Sequence, residues 1–342
     1  MKRQTIWSSG RSARALTVAA VLLALIVIVL IISINSGHTS LSPMQVLRTF
    51  MGMGSRTESL VLFEFRLPRI VISLLVGAGL AIAGAVLQGV SRNPLADPGI
   101  LGINSGAGLA VVLYVSLNPL RTGASPFTLP ILAIIGSFAA AAAIYMLAYR
   151  KHKGLSTSRL LLAGIAMAAG IQSLMLVLVI RLDEQNYTFV ANWLAGSIWG
   201  TTWDFVLALL PWIVILVPFI FSKARQMDVM MLGDQTAAGL GSLLNRERLL
   251  LIAAAVALSG ACVSISGGIS FLGLIGPHLA RRLVGPRHMH FVPISALVGA
   301  LIMLAGDSIA RTIIQPSGIP TGIVVAVIGA PYFLYLLARS RG

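Results

Sequence analysis

Along this chain, long unbroken runs of apolar residues are separated by short polar breaks. An α-helix needs about 20 consecutive apolar residues to cross a bilayer, whereas a membrane β-strand alternates apolar and polar positions. The runs here are continuous, which points to helices. Reading runs and breaks gives ten expected spans, at about 15–34, 69–90, 99–118, 128–149, 159–180, 204–222, 248–268, 270–284, 291–312 and 320–339. The eighth is short and contains Gly276-Pro277, so an interrupted helix sheltered by its neighbours is expected there. The expected fold is an all-α polytopic membrane protein with about ten transmembrane helices. It forms a single transmembrane domain over residues 1–342, in which 1–14 is a polar N-terminal tail.

Composition agrees with this pattern. Apolar residues make up 57% of the chain and charged residues 10%, against about 25% charged in soluble domains. The run at 15–34 is longer than the ~7–15 apolar residues of a signal-peptide core and ends in ISINSGH, so it reads as a retained span. A formal net charge of +15 could suggest nucleic acid, but the basic residues sit between the apolar runs, so no nucleic-acid partner is expected. They also set orientation. Ten spans place both termini on one side, and that side holds eighteen of the 25 Lys and Arg. The positive-inside rule makes it the cytoplasm. The single cysteine, Cys262, lies in an apolar run and reads as packing. Gly77, Ala81, Ala85 and Gly89 recur every fourth residue, a stripe that lets another helix backbone approach closely.

Some chemistry is missing. Ion-coupled carriers place carboxylates or histidines inside the membrane, yet eight of the ten acids fall in links and Asp204 only begins a span. Asp307 alone reads as internal. It stands 16 residues past Phe291, about 24 Å along a helix and near the outer edge of a ~30 Å core. Arg311, one turn on, can pair with it. No P-loop, His-Glu-x-x-His or aspartate cluster occurs, and the histidines show no metal-ligand spacing. No catalytic residue, bound cofactor or metal is therefore expected. His278, beside Pro277, reads as structural, and Met227, Met230 and Met231 as packing or an adaptable docking surface. If transport is active and not ion-driven, the ATPase must be another polypeptide.

The stretch LGDQTAAGLG, 232–241, lies between two spans and falls on the cytoplasmic side. Asp234 suits an N-cap accepting from amides two or three residues on. Gly239 and Gly241 suit the left-handed conformation that ends a helix. Six or seven residues do not hold a helix alone, since isolated helices under ~12–15 residues are marginal. Something must brace it.

Five segments resemble a known family. RLPRIVISLLVGAGLAIAGAVLQGVSRNPLADPGILGINSGAG (66–108), STSRLLLAG (156–164), LGDQTAAGLG (232–241), GGISFLGLIGPHLAR (267–281) and IPTGIVVAVIGAPYFLYLL (319–337) are similar, in order, to the permeases that import iron-siderophores and vitamin B12. The signature region covers about 60–340. The resemblance implies a ten-helix subunit of an ATP-driven importer in a bacterial cell membrane. A second permease copy or paralogue pairs with it, two cytoplasmic ATPase subunits carry ATP and Mg, and an extracytoplasmic binding protein delivers the ligand. Ferric siderophores are the expected cargo; cobalamin or haem on the same machinery is the alternative. An ion-coupled secondary carrier or a membrane enzyme would need intramembrane acids or a catalytic cluster.

The resemblance also implies site residues. LGDQTAAGLG becomes a short coupling helix for the ATPase, presented by Gly233, Asp234, Ala237, Ala238, Leu240 and Gly241. Arg66, Arg69 and Arg311 match arginines that meet glutamates on the binding protein, a role suited to a planar fork that grips a carboxylate. Pro68 suits a helix start, so both Arg66 and Arg69 are expected to face the exterior. The competing reading is headgroup snorkelling, with Asp307 competing for Arg311. Thr157 and Ser158 match hydroxyl residues of an inner gate, with helix capping as the plainer reading.

Overall fold

The computed structural model describes residues 3–36, 41–118, 127–150, 154–155, 157–198, 200–241, 243–313 and 318–339. In chain order the helices are α1 (Arg3–Asn35), α2 (Pro43–Phe50), α3 (Arg56–Ser59), a π-helical stretch Leu60–Arg66, and α4 (Leu67–Ser91). A 3₁₀ turn at Pro98–Leu101 leads into α5 (Ile103–Leu117) and α6 (Thr128–Ala148). A two-residue antiparallel pairing of β1 (Tyr149–Arg150) with β2 (Gly154–Leu155) precedes α7 (Thr157–Val179). Then come α8 (Glu184–Leu194), α9 (Trp203–Ser222), α10 (Ala224–Met230), α11 (Asp234–Gly239), α12 (Leu244–Ser266), α13 (Leu272–Val284), α14 (His288–Ile313) and α15 (Thr321–Arg339).

Each of the ten expected spans coincides with a helix: α1, α4, α5, α6, α7, α9, α12, α13, α14 and α15. Among the described residues seven are long and apolar enough to cross a membrane, and Ile103–Leu117 and Thr321–Leu336 are shorter apolar helices. The eighth span corrects an expectation. Gly276-Pro277 does not interrupt α13, which is continuous through it. The break comes earlier, between α12 and α13, where Gly267 and Phe271 take φ of 67° and 66°. Proline has no N–H for the carbonyl four residues back, here Gly273 O. The Gln88 amide approaches that carbonyl at 3.5 Å and Leu274 O at 3.4 Å. A neighbouring side chain thus partly replaces the lost backbone bond, which membrane helices require. With 13 residues α13 is about 20 Å long, short of a full crossing.

The core sits around α4 and α12. Of their most apolar windows, 78% and 83% of residues are buried, against 11% for α7. The small-residue stripe explains how. A Cβ on Gly77 would lie 2.5 Å from Gly299 O of α14, and one on Gly276 2.9 Å from the Ala81 Cβ. Off the stripe, a Cβ on Gly84 would lie 1.8 Å from Gly273 O of α13. No side chain fits at such separations, so glycine is what lets three backbones meet. With no hydrophobic force between helices in lipid, this contact area drives association. Buried Ser73, Ser259, Ser295 and Ser308 donate to carbonyls four residues back on their own helices, which keeps their hydroxyls satisfied.

Candidate coupling element, cavity and charge clusters

At one end of the bundle, α10 and α11 form the polar link between α9 and α12. Gly233 takes φ of 105° and Gly241 φ of 79°, so glycines bracket α11. Gly239 remains helical, and of the two expected terminators only Gly241 turns left-handed. Asp234 also differs from expectation. It is the first helical residue, and Gly233 is the N-cap, with no side-chain cap bond. The Asp234 carboxylate instead binds two guanidinium groups. Arg248 reaches it at 2.6 and 3.1 Å, and Arg92 donates a further hydrogen bond. Charged donors outcompete a neutral amide for a carboxylate. The Arg248 hydrogen bond, seconded by Arg92, holds Asp234 below the usual carboxylate pKa.

Arg92 is the left-handed C-cap of α4, with φ of 52°. Its Nε also donates to Met230 O at 2.7 Å, capping α10. Asp228 of α10 accepts from the backbone N–H of buried His288 at 2.9 Å and meets its ring Nδ1 at 2.6 Å. Lys223 pairs with Glu247 at 2.9 Å. The α10–α11 link is therefore laced to α4, α12 and α14. Sequence reading left His288 unassigned among links; an Asp and a His sixty residues apart give no local signal. Met227 and Met230 are fully buried, so they are packing. On α11, Ala237 is buried while Ala238 is exposed and Leu240 is 64% exposed. A groove of about 400 Å³ beside Leu240 is walled by Arg225, Gln226, Val229, Leu243 and Glu247.

A half-open cavity of about 690 Å³ is walled by α5, α7, α13 and α15 with the ends of α8 and the 93–99 turn. Ligand pockets span about 300–1,000 Å³. Ile165, Met175, Trp193, Phe271 and Phe333 supply apolar wall, and Asp97, Asn104, Gln172 and Ser270 polar points.

At the opposite end, Asp307 on α14 is fully buried. It accepts from Arg69 Nε at 2.9 Å and Thr321 Oγ1 at 3.1 Å, and Arg311 Nε stands 3.2 Å from its other oxygen. Arg311 also donates to the Ser33 hydroxyl and, at 3.3 Å, to Ser33 O. The expected Asp307–Arg311 pair is present, and Arg69 joins it. Arg66 departs from expectation. It does not face the exterior but is 5% exposed and donates to Ile34 O. Helix continues upstream of Pro68 through the π-helical stretch, and this winding turns Arg66 toward α1. The side chains of Arg69 and Arg311 are 13% and 12% exposed, so Arg69 too departs from the expected exterior placement and turns onto buried Asp307. Thr157 and Ser158 open α7, and their side chains lie outside the described residues. His278 meets the Tyr332 ring edge-on at 5.9 Å, and Cys262 is buried.

A helical bundle with a polar, laced link at one end and a half-open cavity along its wall has the architecture of a polytopic membrane protein. Residues 25–339 match the FecCD transport family, and the chain belongs to it. It is 49% identical to the iron(3+)-hydroxamate import system permease protein FhuG of Bacillus subtilis, covering 96% of this chain and 98% of that protein. It is 40% identical to the Fe(3+) dicitrate transport system permease protein FecD of Escherichia coli, over 82% of this chain and 86% of that one. A solved structure described as an inward-facing conformation of a putative metal-chelate type ABC transporter superposes with a TM-score of 0.82 at 33% identity, covering 93% and 97%. The chain is thus a multi-pass permease of a bacterial cell membrane and a transport subunit without enzymatic activity. In this family hydrolysis of ATP falls to separate subunits, and a permease partner and a substrate-binding protein complete the importer.

Proposed function

We propose that this chain is the membrane-spanning subunit of an ATP-driven importer of ferric siderophores, translocating its cargo along the interface between two permease subunits. Near-complete alignment at 49% identity with a ferric hydroxamate permease carries the reading. The cavity and the laced link give it places to act. The Asp234 end and both termini are cytoplasmic, in keeping with the excess of Lys and Arg in its links. One of the two ATPase subunits docks there on α11 through Gly233, Asp234, Ala237, Ala238, Leu240 and Gly241, and the other on the second permease subunit. Exposed Leu240 and the adjoining groove supply the contact. ATP binding displaces α11, and Arg92 and Asp228 pass the displacement to α4 and α14. Such a push biases a two-state element rather than creating a new one.

At the Asp307 end, Arg69 and Arg311 share one carboxylate while Arg66 binds Ile34 O, so the three arginines leave an excess of positive charge for carboxylates of the binding protein. Because Arg69 and Arg311 are already paired, their lysine variants are the cleanest docking test. They keep the charge and lose the fork, so affinity for the binding protein falls while the subunit stays assembled. Thr157 and Ser158 form the inner gate at the start of α7. The chain binds no cofactor of its own.

The test is iron uptake in a deletion strain complemented with this chain, using labelled ferric hydroxamate and citrate chelates beside haem and cobalamin. Loss and recovery of chelate uptake alone supports the reading. Loss of cobalamin or haem uptake alone reassigns the cargo. Replacing Leu240 with Ala should lower uptake per ATP hydrolysed without removing the protein from the membrane; intact uptake would exclude α11 as the coupling element.

A further inference from the structure

Asp97 reads in sequence as one of the acids in links, yet the structure carries it into the cavity wall. The 93–99 turn folds back against the start of α13. A Cβ on Gly273 would lie 2.6 Å from the Pro98 ring and 3.0 Å from Asp97 Oδ2. Alpha-4 passes the same glycine at Gly84, seven residues before its end at Ser91. Asp97 therefore sits about 10 Å inside the bundle, at 1.5 Å per helical residue. One carboxylate oxygen accepts from the Gly99 N–H at 2.7 Å. Among the described residues no arginine or lysine pairs with it, while Asp307 and Asp234 each hold two arginines. Its described cavity neighbours Asn104, Gln172, Ser105 and Ser270 are neutral. An ionisable group at membrane depth is costly and points to function.

We infer that Asp97 is a charge-selecting residue of the cavity, favouring cargo that carries positive charge and disfavouring anionic chelates. The inference rests on the proposed transport function and names its substrate class. Two unit charges about 10 Å apart at an effective dielectric of about 20 alter an equilibrium on the order of tenfold. Neighbouring Asn104 and Gln172 satisfy polar groups of any cargo, so charge discrimination falls to the one carboxylate.

The probes are one linear ferric trihydroxamate with a free amine and its N-acetyl and N-succinyl derivatives, which present positive, neutral and negative charge on an identical iron core. Uptake is measured in proteoliposomes holding the complete importer with its ATPase and binding protein. Asp97→Asn keeps the cap acceptor and removes the charge, and Asp97→Ser is a second capping residue without it. Comparing uptake ratios between wild type and variant cancels the binding protein's own preference. The expected result in both variants is a fall of about tenfold in the amine-to-acetyl uptake ratio and of about a hundredfold in the amine-to-succinyl ratio. A ratio within twofold of wild type in either folded variant overturns the inference and leaves the transport reading standing. Failure of the wild-type importer to move any of the three chelates sinks the transport reading itself, and this inference with it.

Discussion

The two ends of the molecule use the same motif, one aspartate shared by two arginines, in opposite settings. Asp307 is fully buried, and its arginine side chains are 13% and 12% exposed. Asp234 is 54% exposed, with Arg92 at 32% and Arg248 at 14%, so the difference lies in the carboxylate and one of its arginines. A buried pair binds tightly because removing one partner strands the others, at about 3–5 kcal/mol. An exposed pair is worth about 0–1 kcal/mol. The Asp307 cluster therefore acts as a fixed clamp joining α4, α14, α15 and, through Ser33, α1. The Asp234 cluster is a weak, reversible tie joining α11 to α4 and α12. A segment that must move under a partner's push is held by the second kind. The teaching is that solvent access, more than the residues themselves, separates a strut from a latch.

Removing the two carboxylates is the strongest way to break this comparison. Asp307→Ala should cost about 3–5 kcal/mol, read as a large drop in the thermal midpoint of the detergent-solubilised protein. Asp234→Ala should cost under about 1 kcal/mol while uncoupling ATP hydrolysis from uptake. Equal losses of stability at the two sites would erase the distinction.

A smaller effect follows from Arg92, which serves both α10 and α11. Arg92→Asn tolerates the left-handed backbone but loses both the Met230 and Asp234 bonds. Protection of α11 amides from hydrogen exchange should fall several-fold, with α14 unchanged. Smaller still is the effect of salt. Raising ionic strength from about 0.1 to about 1 M shortens the screening length from ~10 to ~3 Å. Exchange should quicken modestly at α11 and stay constant around Asp307; a matching change at both ends would argue against the buried clamp.

Much of the fold was legible because lipid imposes it. Backbone groups in lipid must be satisfied internally, so apolar run lengths alone located the ten helices at the expected spans, while the shorter α2, α3, α8 and α10 carried no such signal. The stripe Gly77–Gly89 announced close contact for the same reason, since only small residues permit it. The clusters were legible unevenly. Asp307 and Arg311 are four residues apart on one helix, and helical geometry pairs them. Arg69 lies 238 residues away from Asp307, and Arg92 lies 142 from Asp234. No local rule connects such positions, which is why Asp234 read as an N-cap and Arg66 as an exterior side chain.

By itself the sequence determined the helical class, the places of the apolar helices, the charge asymmetry between their links and the position of the glycine-bracketed α11. These depend on residue type and on spacing within one helix. The tertiary structure decided which guanidinium groups each carboxylate holds, that the break at the eighth span precedes α13 instead of splitting it, and that Asp97 faces a cavity. Those outcomes depend on how separate helices dock, and docking is fixed by contact between surfaces that the chain order does not place side by side.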